Sequence, residues 1–250
     1  MVDWVSVEEA KIRPGLRIVL AKDAWGGFSE AVKNMMHVKK IPYVGVPQVP
    51  FGENLENVAW TGIRNNPVAV YDNDPPRDRW LDILNLVERL APEPSLLPRN
   101  SRERALVVGI ANEILGENGL IWSKRIATVA ATPTTGLRAD IMKNEYRADG
   151  SDAGVQRRRM ADVIAMLVAQ LKDQKRAGSR YLVGNSLTAV DIYWASMSNL
   201  FGPFEPTPLP EATKAAYSQQ VPEVAAVFDP ILMEHRDYIY RTYLPPISFS

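Results

Sequence analysis

The stretch Phe28-Ser29-Glu30-Ala31-Val32-Lys33-Asn34-Met35-Met36-His37-Val38-Lys39-Lys40-Ile41-Pro42-Tyr43 decides how this chain is read. Ala31, Val32, Met35 and Met36 fall at helical spacing, which predicts a helix over 29–39. Residues 41–49 then alternate as a strand does, with Pro42 and Pro47 pushing that strand toward a sheet edge. Upstream, the run Leu16-Arg17-Ile18-Val19-Leu20-Ala21 reads as a buried strand. Downstream come a short helix over 54–60, a third strand over 67–71 and a helix over 77–90. Strand and helix in regular alternation imply a small α/β unit with parallel crossovers.

Beyond Pro92-Glu93-Pro94 and Leu97-Pro98 the texture changes. Long amphipathic stretches cover 102–131, 152–177, 191–200 and 221–243, and none shows the alternation of a strand. The chain is therefore expected to comprise an α/β domain over 1–90, with 1–15 as an N-terminal extension. A linker over 91–100 and an all-helical domain over 101–250 complete it. Arg157-Arg158-Arg159 opens the second long helix and reads either as a solvated face or as an anion contact. Residues 132–146 make a long connection, with Arg138, Lys143 and the following Arg147 fit for a lid or a dimer contact.

Composition narrows the chemistry. The 250 residues carry 29 Lys+Arg against 29 Asp+Glu, so the broad basic footprint of a nucleic-acid binder is missing and no nucleic-acid partner is expected. Cysteine is absent, which excludes disulfides, thiolate metal sites and a cysteine nucleophile. His37 and His235 are the only histidines, too few for a multi-histidine metal centre, and both read as structural. No apolar run approaches membrane-spanning length and the first residues lack a leader's apolar stretch. A cytoplasmic protein with no membrane partner is expected.

Three segments carry a family resemblance. Residues 28–43 resemble the first helix and second strand of the glutathione S-transferases. Asn66-Pro67-Val68-Ala69-Val70 resembles that family's strand after a cis-proline. Tyr181-Leu182-Val183-Gly184-Asn185-Ser186-Leu187-Thr188-Ala189-Val190-Asp191-Ile192 is similar to the signature of its helical domain. The third match has its own physical reading, a capping box in which Thr188 caps the next helix and Asp191 answers the cap's backbone N–H. Gly184 and Asn185 supply the turn before it. The resemblance implies an α/β plus all-α fold: a thioredoxin-like N-terminal domain with a mixed sheet, then a helical bundle. It also implies glutathione as co-substrate, a small hydrophobic electrophile as second substrate, and a homodimer. In the family the residue before the cis-proline pairs through its main chain with the cysteinyl part of glutathione; here that residue is Asn66, followed by Pro67.

The sequence departs from the family pattern in two places. Aligning Phe28-Ser29 with the family's helix start puts Gly26 where a catalytic Ser or Cys is expected and Gly27 where Pro often follows. Three groups remain to hold a thiolate. The backbone N–H groups of Gly27, Phe28 and Ser29 form an anion nest at a helix start. The Ser29 hydroxyl could act directly or serve as the helix N-cap. The Trp25 indole could donate its N–H or form a wall of the substrate pocket. The second departure is the Glu/Gln-Ser pair that in the family holds the γ-glutamyl end. Its counterpart here is Asp74-Pro75-Pro76-Arg77-Asp78-Arg79-Trp80, in which Asp78 suits an ammonium and Arg77 or Arg79 a carboxylate. Pro75 and Pro76 also leave any fourth strand short or absent. The resemblance thus yields a glutathione-dependent transferase, lyase or isomerase, with a non-catalytic binding or regulatory protein of the same fold as the alternative.

Overall fold

A computed structural model of the chain describes residues 2–131, 135–144, 153–205 and 207–248. The chain forms two compact units. The first comprises Met1–Ser95, Glu205–Leu209 and Tyr243–Ser250, and the second Leu96–Phe204 and Pro210–Thr242.

The first unit is built on a three-stranded sheet in the order β2-β1-β3. β1 (Leu16–Ala21) lies at the centre and is buried along its whole length. β2 (Val44–Gln48) runs parallel to it, whereas β3 (Val68–Tyr71) runs antiparallel, in register Ile18 to Ala69. The sheet is therefore mixed, and the parallel crossovers expected from simple alternation are corrected at β3. Pro47 sits in the edge strand, where its missing N–H breaks no central ladder. Of a fourth strand only the bridge between Ala69 and Arg77 exists, with N···O distances of 2.8 and 2.9 Å. The helix predicted from residue 77 consequently starts later, as α4 (Trp80–Leu90).

Each sheet face has its own cover. Val19, Val44, Val46, Val68 and Val70 meet Val5, Val7 and Ala10 from the N-terminal extension, with Trp60 and Ile63 packed alongside. α1 (Val7–Ile12) starts in a capping box, in which Ser6 and Glu9 exchange hydrogen bonds, and it packs on α3 (Leu55–Thr61). Strand alternation sends Ile18 and Leu20 to the opposite face. α2 (Gly27–Lys39) and α4 pack against each other, burying Ala31, Val32, Met35, Ile83, Leu84 and Val87. Their far ends are fastened by Lys39, whose fully buried ammonium lies 2.5 Å from Glu88 and 2.8 Å from the carbonyl oxygen of Pro94.

The extension also lengthens the sheet edge. Trp4 bridges to Gly45, the Val5 N–H donates to the Gly45 carbonyl at 2.9 Å, and the Gly45 N–H donates to the Asp3 carbonyl at 2.8 Å. A Cβ added at Gly45 would stand 2.5 Å from Val2 and 2.8 Å from the Trp4 ring. Gly45→Ala is therefore expected to push the extension off the edge, destabilising the unit by about 1–3 kcal/mol. Limited trypsin digestion checks this through faster cleavage after Lys11, the bond after Arg13 being blocked by Pro14; an unchanged cleavage rate would contradict it.

The second unit is helical throughout its described residues. α5 (Ser101–Leu115) and α6 (Leu120–Ala131) replace the single long helix expected there. The break falls at Gly116 and Gly119, where an added Cβ would stand 2.7 Å from the carbonyl oxygens of Asn112 and Glu113 respectively. Residues 132–146, expected as a loop, contain α7 (Gly136–Asn144); Arg138 and Lys143 lie on it and Arg147 lies outside the described residues. α8 (Ala153–Arg176) matches its amphipathic pattern, with Met160, Val163, Ile164, Leu167 and Leu171 buried. Two of the three arginines in its first turns are ion-paired: Arg157 meets Glu223 at 3.0 Å, and Arg159 meets Glu113 and the carbonyl oxygen of Asn118.

α9 (Ala189–Met197) has every residue buried and continues into a short 3-10 turn over Ser198–Phe201. α10 (Glu211–Ser218) follows. The last predicted helix is split at Asp229-Pro230 into α11 (Pro222–Ala225) and α12 (Ile231–Tyr243). Trp194 on α9 donates its indole N–H to the Leu232 carbonyl at 3.0 Å, so α12 is fixed against the buried helix.

Candidate functional site

The N-terminal end of α2 is the chemically open feature of the first unit. Gly26 is its N-cap, in extended conformation (φ −144°, ψ 115°) and without a side chain to cap the helix. The first backbone bond of the helix runs from the Glu30 N–H to the Gly26 carbonyl at 2.8 Å. Among the described residues no acceptor meets the N–H groups of Gly27, Phe28 or Ser29. Three donors at a helix start, with the positive pole of the macrodipole behind them, favour an anion. Trp25, in the loop leading to them, is half-buried.

Ser29 is the third residue of the helix, so the N-cap role weighed for it falls to Gly26. Its hydroxyl is buried and committed: it donates to Asn66 Oδ1 at 2.6 Å and accepts from the Ala21 N–H at 3.2 Å. Asn66 precedes Pro67 across a cis peptide bond, as the resemblance implies; Glu93–Pro94 is also cis, with no counterpart in the sequence reading. The Asn66 amide donates to Gln48 Oε1 at 2.5 Å, and the Gln48 amide donates to the Arg64 carbonyl at 3.3 Å. A chain of polar side chains thus joins the ends of β1 and β2, the first turn of α2 and the entry to β3. Sequence reasoning gave Asn66 a main-chain role only and passed over Gln48, because partners 18 or more residues apart leave no local pattern.

The segment expected at the γ-glutamyl end is arranged differently from its reading. Arg79, not Asp78, is the N-cap residue of α4, and its side chain makes no capping bond. Asp78 and Arg79 are exposed and Trp80 half-buried. Among the described residues neither Asp78 nor Arg79 has an ion-pair partner, and no hydrogen bond joins them to Gly26, Ser29 or Asn66. Arg77 is already engaged, lying 3.2 Å from Asp74, which also pairs with Arg89. Arg89 first, and Arg77 with it, hold the Asp74 carboxyl below its usual range.

Glu30 completes the first turn of α2. Only 3% of it is exposed, and its carboxylate lies 2.8 Å from the Lys33 ammonium. Burial pushes its carboxyl up, against the pull of Lys33. The folded chain therefore holds this proton in a range where the unfolded chain has lost it. The stabilisation is fully present below the ordinary Glu value and disappears as pH rises through the folded one. Glu30→Gln should melt close to the parent below the ordinary Glu value and increasingly above it as pH rises from there through the folded value. Calorimetric melting across this range is the check; a constant difference would remove Glu30 from the pH response.

No protein-family model matches the sequence, and no curated protein matches it at a significant level. Solved structures do match in fold. A glutathione S-transferase from Methylobacterium radiotolerans, solved in complex with glutathione sulfonate, superposes with a TM-score of 0.60 at 16% identity. The match covers 93% of this chain and 96% of that one. Rice GST1 in complex with glutathione gives 0.60 at 18% identity, covering 93% and 92%. The β-etherase LigF from Sphingobium gives 0.58 at 15% identity, covering 90% and 99%. The chain has the fold shared by these proteins, a glutathione S-transferase fold, over nearly its whole length.

Proposed function

We propose that this protein binds glutathione at the start of α2 and lowers the pKa of its thiol for attack on a small hydrophobic electrophile, as a transferase or a glutathione-dependent lyase or isomerase. The observation that carries the reading is the uncapped helix start, with the N–H groups of Gly27, Phe28 and Ser29 open and Asn66 beside them before the cis Pro67. Glutathione is the ligand of two proteins of this fold, as the sulfonate or as itself.

A thiolate in this position is stabilised by fixed backbone dipoles without a charged side chain. Gly26 leaves the helix start without a side-chain donor, and Trp25 forms a wall beside the sulfur. The Asn66 main chain pairs with the cysteinyl backbone, while its side chain, held by Ser29 and Gln48, fixes the loop. Asp78 takes the ammonium and Arg79 the carboxylate of the γ-glutamyl end, with Trp80 packed beneath them. The chain supplies no thiol, so the sulfur nucleophile arrives with the ligand.

A second reading, a binding protein without catalysis, is favoured by one specific observation. No hydroxyl stands at Gly26, and the hydrogen of Ser29 is already given to Asn66. Calorimetric titration with glutathione, combined with the ultraviolet absorbance of the bound thiolate as pH is varied, separates the two. Saturable binding with a thiol pKa lowered by about 1–2 units is expected for the enzyme. Binding with an unshifted thiol leaves a carrier, and no binding at millimolar glutathione removes both.

A homodimer belongs to the same proposal. Val49 and Leu55 are 66% and 69% exposed on the first unit, with Phe51 between them in sequence, and Leu106 and Val155 are exposed on the second. A two-fold axis that sets the first unit of one copy on the second unit of the other would draw on exposed apolar residues of this kind. A cytoplasmic location is part of the same proposal; among the described residues no helix is long and apolar enough to cross a membrane.

A further inference from the structure

The C-terminal end of α2 borders a cavity of about 450 Å³, remote in the helix from Gly26 and formed wholly within the first unit. Its wall on one side is α2 and the segment after it; on the other it is the chain's last described residues, Pro245, Pro246 and Ser248. Lys33 fastens that tail by donating to the Ser248 carbonyl at 2.8 Å, while its ammonium also lies 2.8 Å from the Glu30 carboxyl. The volume lies within the range of small-molecule sites.

The lining combines two kinds of surface. Met36, Ile41, Pro245, Pro246 and Val2 supply apolar area. His37, Lys40 and Tyr43 supply polar groups, and among the described residues none of their side chains has a hydrogen-bond or ion-pair partner. His37 and Lys40 are exposed and Tyr43 is half-buried. Burial, with Glu30 adding to it, pushes the Tyr43 hydroxyl up to about 12, which keeps it a donor at neutral pH. The negative pole of the helix end is answered internally, since the Lys40 N–H donates to the Met36 and His37 carbonyls and the Ile41 N–H to Met36. Whether Glu30 holds its proton or is ionised beside Lys33, the net charge of the described residues lining the cavity is positive, through Lys33 and Lys40.

We propose that this cavity binds a small amphipathic carboxylate, its head group held by Lys40, His37 and the Tyr43 hydroxyl and its apolar body by Met36, Ile41 and the two prolines. A carboxylate fits because all three groups lining the cavity offer hydrogen-bond donors, and the apolar wall selects a short hydrocarbon or aromatic body over a free inorganic anion. The site is separate from the glutathione reading and stands or falls without it.

Octanoate, with octanol as its neutral isostere, is the probe on the full chain carrying ¹³C-methyl methionine. Octanoate should shift the Met36 methyl resonance saturably, and octanol should bind about tenfold more weakly. Tyr43→Phe and Lys40→Asn should each weaken octanoate about tenfold, asparagine being chosen because Lys40 occupies the left-handed region at φ 54°. Glutathione titrations of the same variants should match the parent, so loss of one site is distinguishable from loss of the other. Equal affinity for octanol, octanoate binding unmoved by both substitutions, or no Met36 shift at about 10 mM would each overturn the proposal.

Discussion

Replacing Asp191 with alanine is expected to lower the unfolding free energy of the helical unit by about 3–5 kcal/mol. Asp191 is fully buried at the start of α9 and accepts four hydrogen bonds. Its Oδ2 takes the Thr188 N–H and hydroxyl, both at 2.8 Å. Its Oδ1 takes the Leu182 N–H at 2.7 Å and His235 Nε2 at 2.9 Å. Alanine strips the acceptor from two backbone donors and an imidazole that water does not reach, and a buried donor left unpaired costs about 1–3 kcal/mol. The same carboxylate holds the turn at Leu182 and the α12 side chain His235 to the central helix, so its loss loosens three segments together.

Two further variants sharpen the expectation. Asp191→Asn keeps the shape but offers one acceptor oxygen and turns a second position into a donor facing donors, so it should lose somewhat less. His235→Gln leaves three of the four bonds in place and should lose least. Urea denaturation followed by circular dichroism gives the order. An Asp191→Ala midpoint equal to the parent's would mean that water replaces the carboxylate, and that the capping box is not what organises this unit.

The capping box was legible because it is local: Thr188 and Asp191 are three residues apart, and the turn residues Gly184 and Asn185 precede them. The same locality made the first turn of α2 and the helical halves of the chain readable. What escaped the sequence acts at long range or in short elements. The N-terminal extension reads as a mixed, acidic segment, and α1 offers only Val7 and Ala10 as buried positions, too few to show a period. Yet those residues cover a full face of the sheet. Helix breaks at Gly116 and Pro230 interrupt patterns whose apolar spacing carries on across them, so periodicity alone joined what the backbone separates. The antiparallel direction of β3 on β1 is a pairing between segments distant in sequence, and alternation of strand and helix does not record it.

The candidate site shows the same division. That Gly26 leaves an uncapped helix start is readable from the residue itself. That Ser29 is tied to Asn66, and Asn66 to Gln48, depends on contacts spanning 37 and 18 residues. This changes the role assigned to Ser29. In sequence its hydroxyl reads as a donor to a thiolate or as the helix N-cap, whereas in the fold it braces the loop that carries Asn66. The burden of holding a thiolate shifts accordingly to the backbone.

Gly26→Ser is then the substitution with the largest expected gain. The N-cap backbone is extended, which any residue adopts, and an added Cβ would lie 3.7 Å from the Ala21 Cβ and 3.9 Å from Ser29, ordinary contact distances. Without ligand, a serine here can accept from the N–H of Phe28 or Ser29, stabilising the helix by a few tenths of a kcal/mol relative to glycine, and it gives that N–H up when a thiolate binds there. Its hydroxyl hydrogen remains free to meet a thiolate. One positioned donor at a developing anion is worth about a hundredfold in rate. Conjugation of glutathione to a chlorodinitrobenzene should therefore rise by about a hundredfold in kcat/KM, with the bound thiol ionising at lower pH. Gly26→Ala fills the same space without a donor and should show no gain, which separates the hydroxyl from the added bulk. A serine variant as slow as the parent, with glutathione still bound, would mean that the sulfur does not lie at the start of α2.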